Sequence, residues 1–176
     1  MIDTDELLRR NAAFAAGDAF EDVPLRSTGG LRVIGCVDPR VDPAHVLGLR
    51  NGDAVVMRNV GGRVTPGALR SCAMLAKVAQ ARAAGQPRGG GQLVVLHHTD
   101  CGITDLDAFP DLLADYFEIP AADLPTKAVL DPYASVRLDV DLLRRAMPPG
   151  IPVSGLVYDV HTGLVEVVVP TVQPEE

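Results

Sequence analysis

The sequence predicts an α/β fold: a mostly parallel central sheet flanked by helices, with an antiparallel hairpin at its C-terminal edge. Three observations carry this. Short apolar runs alternate with longer stretches of helical periodicity. Two of the runs, Leu31 to Val37 and Gln92 to His97, are nearly continuous in apolar residues, as strands covered on both faces are. The last two, Val153 to Val160 and Leu164 to Val169, are separated only by His161, Thr162 and Gly163, which suits a tight hairpin turn.

Each element has a local reason. Thr4 is placed to cap a first helix, with Asp5 and Glu6 at its positive end. Leu7, Leu8, Ala12, Phe14 and Ala15 then recur at helical spacing until Gly17. Residues 1–17 thus form an N-terminal helical arm that packs on a partner subunit or on its own domain. Residues 18–30 read as loop, and Leu31 to Val37 as the first strand. Pro43 to Leu49 is a short helix, Asn51-Gly52-Asp53 a turn, and Ala54 to Met57 a second strand. Pro66 opens a long helix to about Ala84, with Gly85 as its stop. Pro87 to Gly91 connects it to the third strand. Helical structure resumes from about Asp105 to Phe117, with a break at Pro110. Residues 118–130 read as loop. Pro132 to Met147 is a helix with Val136, Val140, Leu143 and Met147 on its apolar face, ended by Pro148-Pro149-Gly150.

The 176 residues suit one domain, 1–176, and 47% apolar residues with no Trp imply a core of Val, Leu, Ile and Ala. A formal charge of −7 argues against nucleic acid or an anionic membrane as partner. No run is long enough to span a bilayer, and the acidic N-terminus lacks the layout of a signal peptide. Three cysteines, an odd number, suit reduced thiols, so the expected location is cytoplasmic.

Both apolar strands end in metal-ligand chemistry. Cys36 closes the first, and His98 with Cys101 follows the third. Thiolate and imidazole suit a borderline-soft ion such as zinc, and three protein ligands leave a fourth position open. His97 competes with His98, but adjacent strand residues face opposite ways, and the two-residue gap to Cys101 favours His98. That leaves His97 as a packed or hydrogen-bonded core residue. Cys72, mid-helix, is expected in the core, and His45 and His161 are structural or exposed. Beside Cys36, Asp38 and Arg40 can form a fork that lowers the carboxyl pKa, or an ordinary surface ion pair. An ionised Asp38 can orient a water on the metal, or swing in as a fourth ligand. Arg58-Asn59-Val60-Gly61-Gly62 ends another strand, and its glycines permit close approach of a small anion or simply make a turn. Gly89-Gly90-Gly91 precedes a strand and makes a poor phosphate loop.

Cys36-x-Asp38-x-Arg40, Arg58-Asn59-x-Gly61-Gly62 and His98-x-x-Cys101-Gly102, in this order, resemble the β-class carbonic anhydrases, the small bacterial members above all. The resemblance implies zinc on Cys36, His98 and Cys101, and a catalytic dyad of Asp38 and Arg40. It also implies substrate contacts from Arg58, Asn59, Gly61, Gly62 and Gly102. The implied reaction is reversible hydration of carbon dioxide to bicarbonate and a proton. The implied assembly is at least a homodimer, with the first helix reaching across. Carbonyl sulfide or carbon disulfide hydrolysis on the same scaffold, and a non-catalytic zinc protein, are the alternatives. Pro39 stands where the family has a small residue and biases Asp38 toward an extended backbone. Phe109, Tyr116 and Phe117 are the aromatics available to line a pocket.

Overall fold

The computed structural model describes residues 2–17, 19–23, 27–82 and 91–171. The five strands are β1 (Leu31–Cys36), β2 (Ala54–Asn59), β3 (Gln92–His98), β4 (Val153–Tyr158) and β5 (Val165–Val169). They form one sheet in the order β2-β1-β3-β4-β5, parallel except for the antiparallel β4–β5 edge. The expected α/β architecture with its closing hairpin is therefore present.

The helices are α1 (Thr4–Ala15), α2 (Pro43–Val46), α3 (Pro66–Arg82), α4 (Pro110–Phe117) and α5 (Pro132–Ala146). Val136, Val140 and Leu143 of α5 are fully buried against Leu93, Val95, Val153 and Val157 of the sheet, on the stripe the sequence periodicity marks. The other sheet face buries Val33, Val94 and Leu96 with Val41. Alternate residues of β1 and β3 thus enter two cores, which is why both strands read as continuous apolar runs. Cys72 of α3 lies in the first core, as expected.

Several boundaries differ from the sequence reading. Asp3, not Thr4, caps α1: its carboxylate accepts from the Glu6 N–H at 2.8 Å. The stretch expected as one helix from Asp105 is a 3₁₀ segment, Gly102–Ala108, followed by α4. Pro110 has no N–H to donate and fits only the first turn, while Phe109 is non-helical at φ −130°. The expected loop 118–130 contains a 3₁₀ segment, Ala121–Lys127. The second strand runs on to Asn59, because its parallel pairing with β1 continues to the Cys36–Asn59 pair. The expected helix stop at Gly85 and most of the connector 87–91 lie outside the described residues.

One buried polar cluster joins α5 to the β2–α3 turn. Arg63, 1% exposed, donates from Nε to Asp139 Oδ2 at 2.8 Å and from Nη2 to the Lys127 carbonyl at 2.8 Å. The Val64 N–H donates to the same carboxylate at 3.0 Å. His97 is the hydrogen-bonded core histidine the sequence suggests: Nδ1 lies 2.9 Å from Ser135 Oγ, and Nε2 lies 3.3 Å from Asp139 Oδ2. Burial works to raise the Asp139 pKa, but His97 and Arg63 outweigh it and hold the carboxyl down to about 2.

The turn between β2 and α3 depends on glycine. Gly62 has φ +66°, and a Cβ there would meet the Leu96 carbonyl oxygen at 2.9 Å and the Cys36 nitrogen at 3.0 Å. Gly62→Ala is expected to cost about 2 kcal/mol or more, from the left-handed backbone and the clash together, read by urea unfolding. Asp139→Ala leaves the Arg63 cation buried without its partner and is expected to cost about 3–5 kcal/mol in the same measurement. The wild-type contribution is complete above the ordinary carboxyl pKa of 3.8 and is lost as pH falls toward 2. Asp139→Ala should therefore flatten the acid side of the stability curve. Parallel acid branches in the two proteins would contradict this assignment.

Candidate metal centre

β1 and β3 end side by side. Their register pairs Gly35 with Leu96, so Cys36, the last residue of β1, comes level with the two histidines that close β3. His97 turns toward Ser135 and Asp139, and His98 goes to the other face. Cys101 follows in the turn before the 3₁₀ segment. One ligand atom from each of Cys36, His98 and Cys101 lies within 4.8 Å of the other two, and all three residues are buried.

These residues fit zinc. The two Sγ atoms are 3.8 Å apart. Two sulfurs at ~2.3 Å on a tetrahedral ion would be separated by about the same distance. His98 Nδ1 lies 2.9 Å from the Thr99 carbonyl oxygen, which can only accept, so Nδ1 carries the proton. That leaves the Nε2 lone pair free, and Nε2 is buried without a hydrogen-bond partner. Cys36 Sγ accepts the N–H groups of Gly61 at 3.3 Å and Asp38 at 3.4 Å. A hydrogen bond from the Cys101 thiol, helped against burial by His98 and the Asp38 N–H, holds the Cys36 thiol well below its usual pKa. The same sulfur–sulfur bond, with burial, pushes Cys101 up.

Asp38 and Arg40 form the fork. Arg40 donates to Asp38 Oδ1 from its backbone N at 2.8 Å and from Nε at 3.0 Å, and to Oδ2 from Nη2 at 2.7 Å. Pro39 does not prevent this. The Arg40 side chain, first among the causes, holds the Asp38 carboxyl down to about 2. Asp100, which sequence reasoning passed over, completes the arrangement. Its carboxylate and its carbonyl accept from Arg40 at 2.7 and 2.8 Å. Asp100 has φ +51°, a left-handed conformation that Asp tolerates better than most residues. An acid between His98 and Cys101, in the turn that follows the strand, was the available signal.

The residues of the Arg58 motif hold the loops around the ligands. Arg58 donates to the Cys36 carbonyl from Nε, to Asp42 Oδ2 from Nη1 and to the Asp38 carbonyl from Nη2, each at 2.8 Å. Asn59 closes the glycine turn, accepting the Arg63 N–H at 2.8 Å and donating to its carbonyl at 2.7 Å. Gly61 touches Cys36 through its N–H, and Gly62 sits against β1 and β3. Gly102 has open space where a side chain would stand. A cavity of about 60 Å³ adjoins His98 and Cys101, and Ile103, Val129 and Leu130 give its apolar walls. None of Phe109, Tyr116 and Phe117 lines it. His45 and His161 are exposed.

Comparison with known proteins agrees with this geometry. A family model described as carbonic anhydrase matches residues 31–111. "Beta-carbonic anhydrase 1" of Mycobacterium tuberculosis is 31% identical over 178 residues, covering 97% of this chain and all of that protein. A carbon disulfide hydrolase of an Acidianus species is 34% identical over 119 residues, 64% of this chain and 52% of its own length. Among solved structures, the carbonic anhydrase of Streptococcus mutans superposes with a TM-score of 0.68 at 32% identity, covering 96% of this chain and 99% of that one. With a relative matched along its entire length and the Cys-His-Cys set gathered as zinc requires, the chain belongs to the β-carbonic anhydrase family.

Proposed function

We propose that this protein catalyses the zinc-dependent, reversible hydration of carbon dioxide to bicarbonate and a proton. The single observation that carries the reading is the convergence of Cys36, His98 and Cys101 with a forked Asp38 alongside. Zinc on these three residues, when bound, makes a water acidic enough to be a nucleophile near neutral pH. Asp38 is the base-side partner in this reading. Its carboxylate is ionised and accepts a hydrogen bond from the attacking oxygen, which aims that oxygen at carbon. Arg40 positions Asp38 and, with both carboxylate oxygens in its grip, keeps it from turning into the ligand set. Ile103, Val129 and Leu130 give the uncharged substrate an apolar approach. Arg58, Asn59, Gly61 and Gly62 belong to the site as its frame, through the bonds and close approaches described above, and Gly102 leaves open space beside Cys101 for substrate.

The carbon disulfide hydrolase likeness keeps that substrate, and carbonyl sulfide, as the second reading. Carbon dioxide is favoured because the carbonic anhydrase relatives match along nearly the whole chain. We read residues 1–176 as a single domain with 1–17 as an arm, and the assembly as a homodimer. α1 buries none of its residues and leaves Leu7, Leu8 and Phe14 exposed, a surface suited to a partner subunit. The cytoplasm is the proposed location, since reducing conditions keep Cys36 and Cys101 as thiols. No helix among the described residues is long and apolar enough to cross a membrane.

Stopped-flow hydration assays with metal analysis test this. The wild type should hold one zinc per chain and accelerate carbon dioxide hydration. Cys36→Ser should lose zinc and at least about 100-fold in kcat/KM. Equal turnover of carbon dioxide by both proteins would refute the reading, and turnover of carbon disulfide alone would establish the second. Arg40→Ala should lower kcat/KM by about 10- to 100-fold while zinc stays at one per chain. Loss of zinc in that variant would instead assign Arg40 to holding the fold.

A further inference from the structure

The Arg40 guanidinium is gripped on two edges. Nε and Nη2 donate to the Asp38 carboxylate at 3.0 and 2.7 Å along one edge. Nη1 and Nη2 donate to the Asp100 carboxylate and carbonyl at 2.7 and 2.8 Å along the other. The two acids leave neighbouring strands, Asp38 after β1 and Asp100 after β3. The Asp38 edge alone is a weak hold. The Arg40 side chain is 47% exposed, and an arginine half in water loses little in leaving a single carboxylate. A grip on both edges fixes the plane of the guanidinium as well as its place.

Asp100 is built for that second grip. Its φ of +51° is a conformation that costs a residue with a Cβ. The turn is held from both sides. Before Asp100, the Thr99 N–H donates to the Tyr158 carbonyl at 2.9 Å, and the Thr99 hydroxyl donates to Asp159 at 3.3 Å while accepting the Val160 N–H at 3.1 Å. After it, the Thr104 N–H and hydroxyl donate to the Cys101 carbonyl at 3.0 and 2.8 Å. Asp100 thus stands on a turn stapled to the end of β4, and Arg40 is anchored through it to the sheet. Glycine would serve the backbone of this turn at no cost. What the carboxylate adds is the bond to Arg40 Nη1, the one hydrogen bond the Asp100 side chain makes among the described residues. A strained residue whose side chain has a single use points to that use.

We propose that Asp100 is a positioning residue of the site: it holds Arg40 closed on Asp38, and through Arg40 keeps the Asp38 carboxylate aimed past the ligand set. The Asp38 N–H bonds Cys36 Sγ at 3.4 Å, so a carboxylate released from the fork stands beside the ligands. The effect of the hold on turnover rests on the function proposed above, whereas the hold itself does not.

A double-mutant cycle on zinc-loaded protein tests this with two readouts. The first is exchange of the Arg40 Nε–H with water, followed by NMR of the arginine side-chain nitrogens. Asp100→Gly tolerates the backbone conformation and removes the carboxylate, so exchange at Arg40 should become about tenfold faster while Arg58 and Arg63 keep their rates. Asp100→Asn keeps an oxygen acceptor without the charge and should fall between. The second readout is kcat/KM for carbon dioxide hydration. Asp100→Gly should lose about 3- to 10-fold with one zinc still bound per chain. In the Arg40→Ala background the same substitution should change kcat/KM by less than about twofold, because the group it acts through is gone. Unchanged Arg40 exchange in Asp100→Gly overturns the proposal, as does a loss of kcat/KM that persists in full without Arg40. Loss of zinc from Asp100→Asn also overturns it, by making Asp100 a support of the turn alone. A protein whose Arg40 is held by Asp100 yet hydrates no carbon dioxide would keep the hold and discard the proposed function.

Discussion

The register between β1 and β3 is the constraint on which the site depends. Cys36 and His98 are 62 positions apart in sequence and meet only because Gly35 pairs with Leu96. A slip of one residue would exchange the faces of β3, sending His98 into the core and His97 toward the sulfurs. What prevents the slip is burial on both sides. Leu93 and Val95 are committed to the core beneath α5, and Val94 and Leu96 to the opposite one. The ligand set is thus aligned by aliphatic packing that never touches it. The loops leaving β1 and β3 then diverge, toward β2 and toward β4, which opens a crevice at the carboxyl ends of the strands.

Within that crevice, arginines do the local fixing. Arg58 ties the segment after β1 to β2 by two carbonyls and Asp42. Arg40 ties the same segment to the turn after β3 through Asp38 and Asp100. Arg63 ties the glycine turn to α5. Each uses its planar fork for several acceptors at once, a task lysine's single nitrogen performs poorly. The charges in the outer two clamps are partly solvated, so their worth lies in direction more than in stability. The Arg63 clamp is dry, and there pairing is obligatory.

Much of this was legible in the sequence because periodicity and residue chemistry speak locally. The alternation of strands and helices, the α5 stripe and the Cys-His-Cys set are all written in short-range patterns. His97 and His98 could be separated by the two-residue period of a strand alone. What escaped was what depends on distant partners. Nothing near Arg63 in sequence announces Asp139, 76 positions on, so the buried pair was invisible. Asp100 lay inside the most conspicuous motif, yet its partner Arg40 is 60 residues upstream. The 3₁₀ segments were missed because their short turns carry no apolar period of their own. The cap moved from Thr4 to Asp3 because both are good capping residues, and sequence does not rank neighbours of that kind.

The spacing of the two sulfurs has a consequence for metal selectivity. The two sulfurs are 3.8 Å apart, with Cys36 held at the end of β1 by the N–H groups of Gly61 and Asp38 and Cys101 carried by the turn after β3. That separation is a tetrahedral edge. Adjacent sulfurs at right angles around a square-planar ion would sit about 3.2 Å apart at the same bond length. Copper(II) and nickel(II), which out-compete zinc for many donor sets in raw affinity, would have to draw the Cys101 turn toward Cys36 before binding in their preferred shape. The turn that carries Cys101 is therefore what a square-planar ion would have to displace.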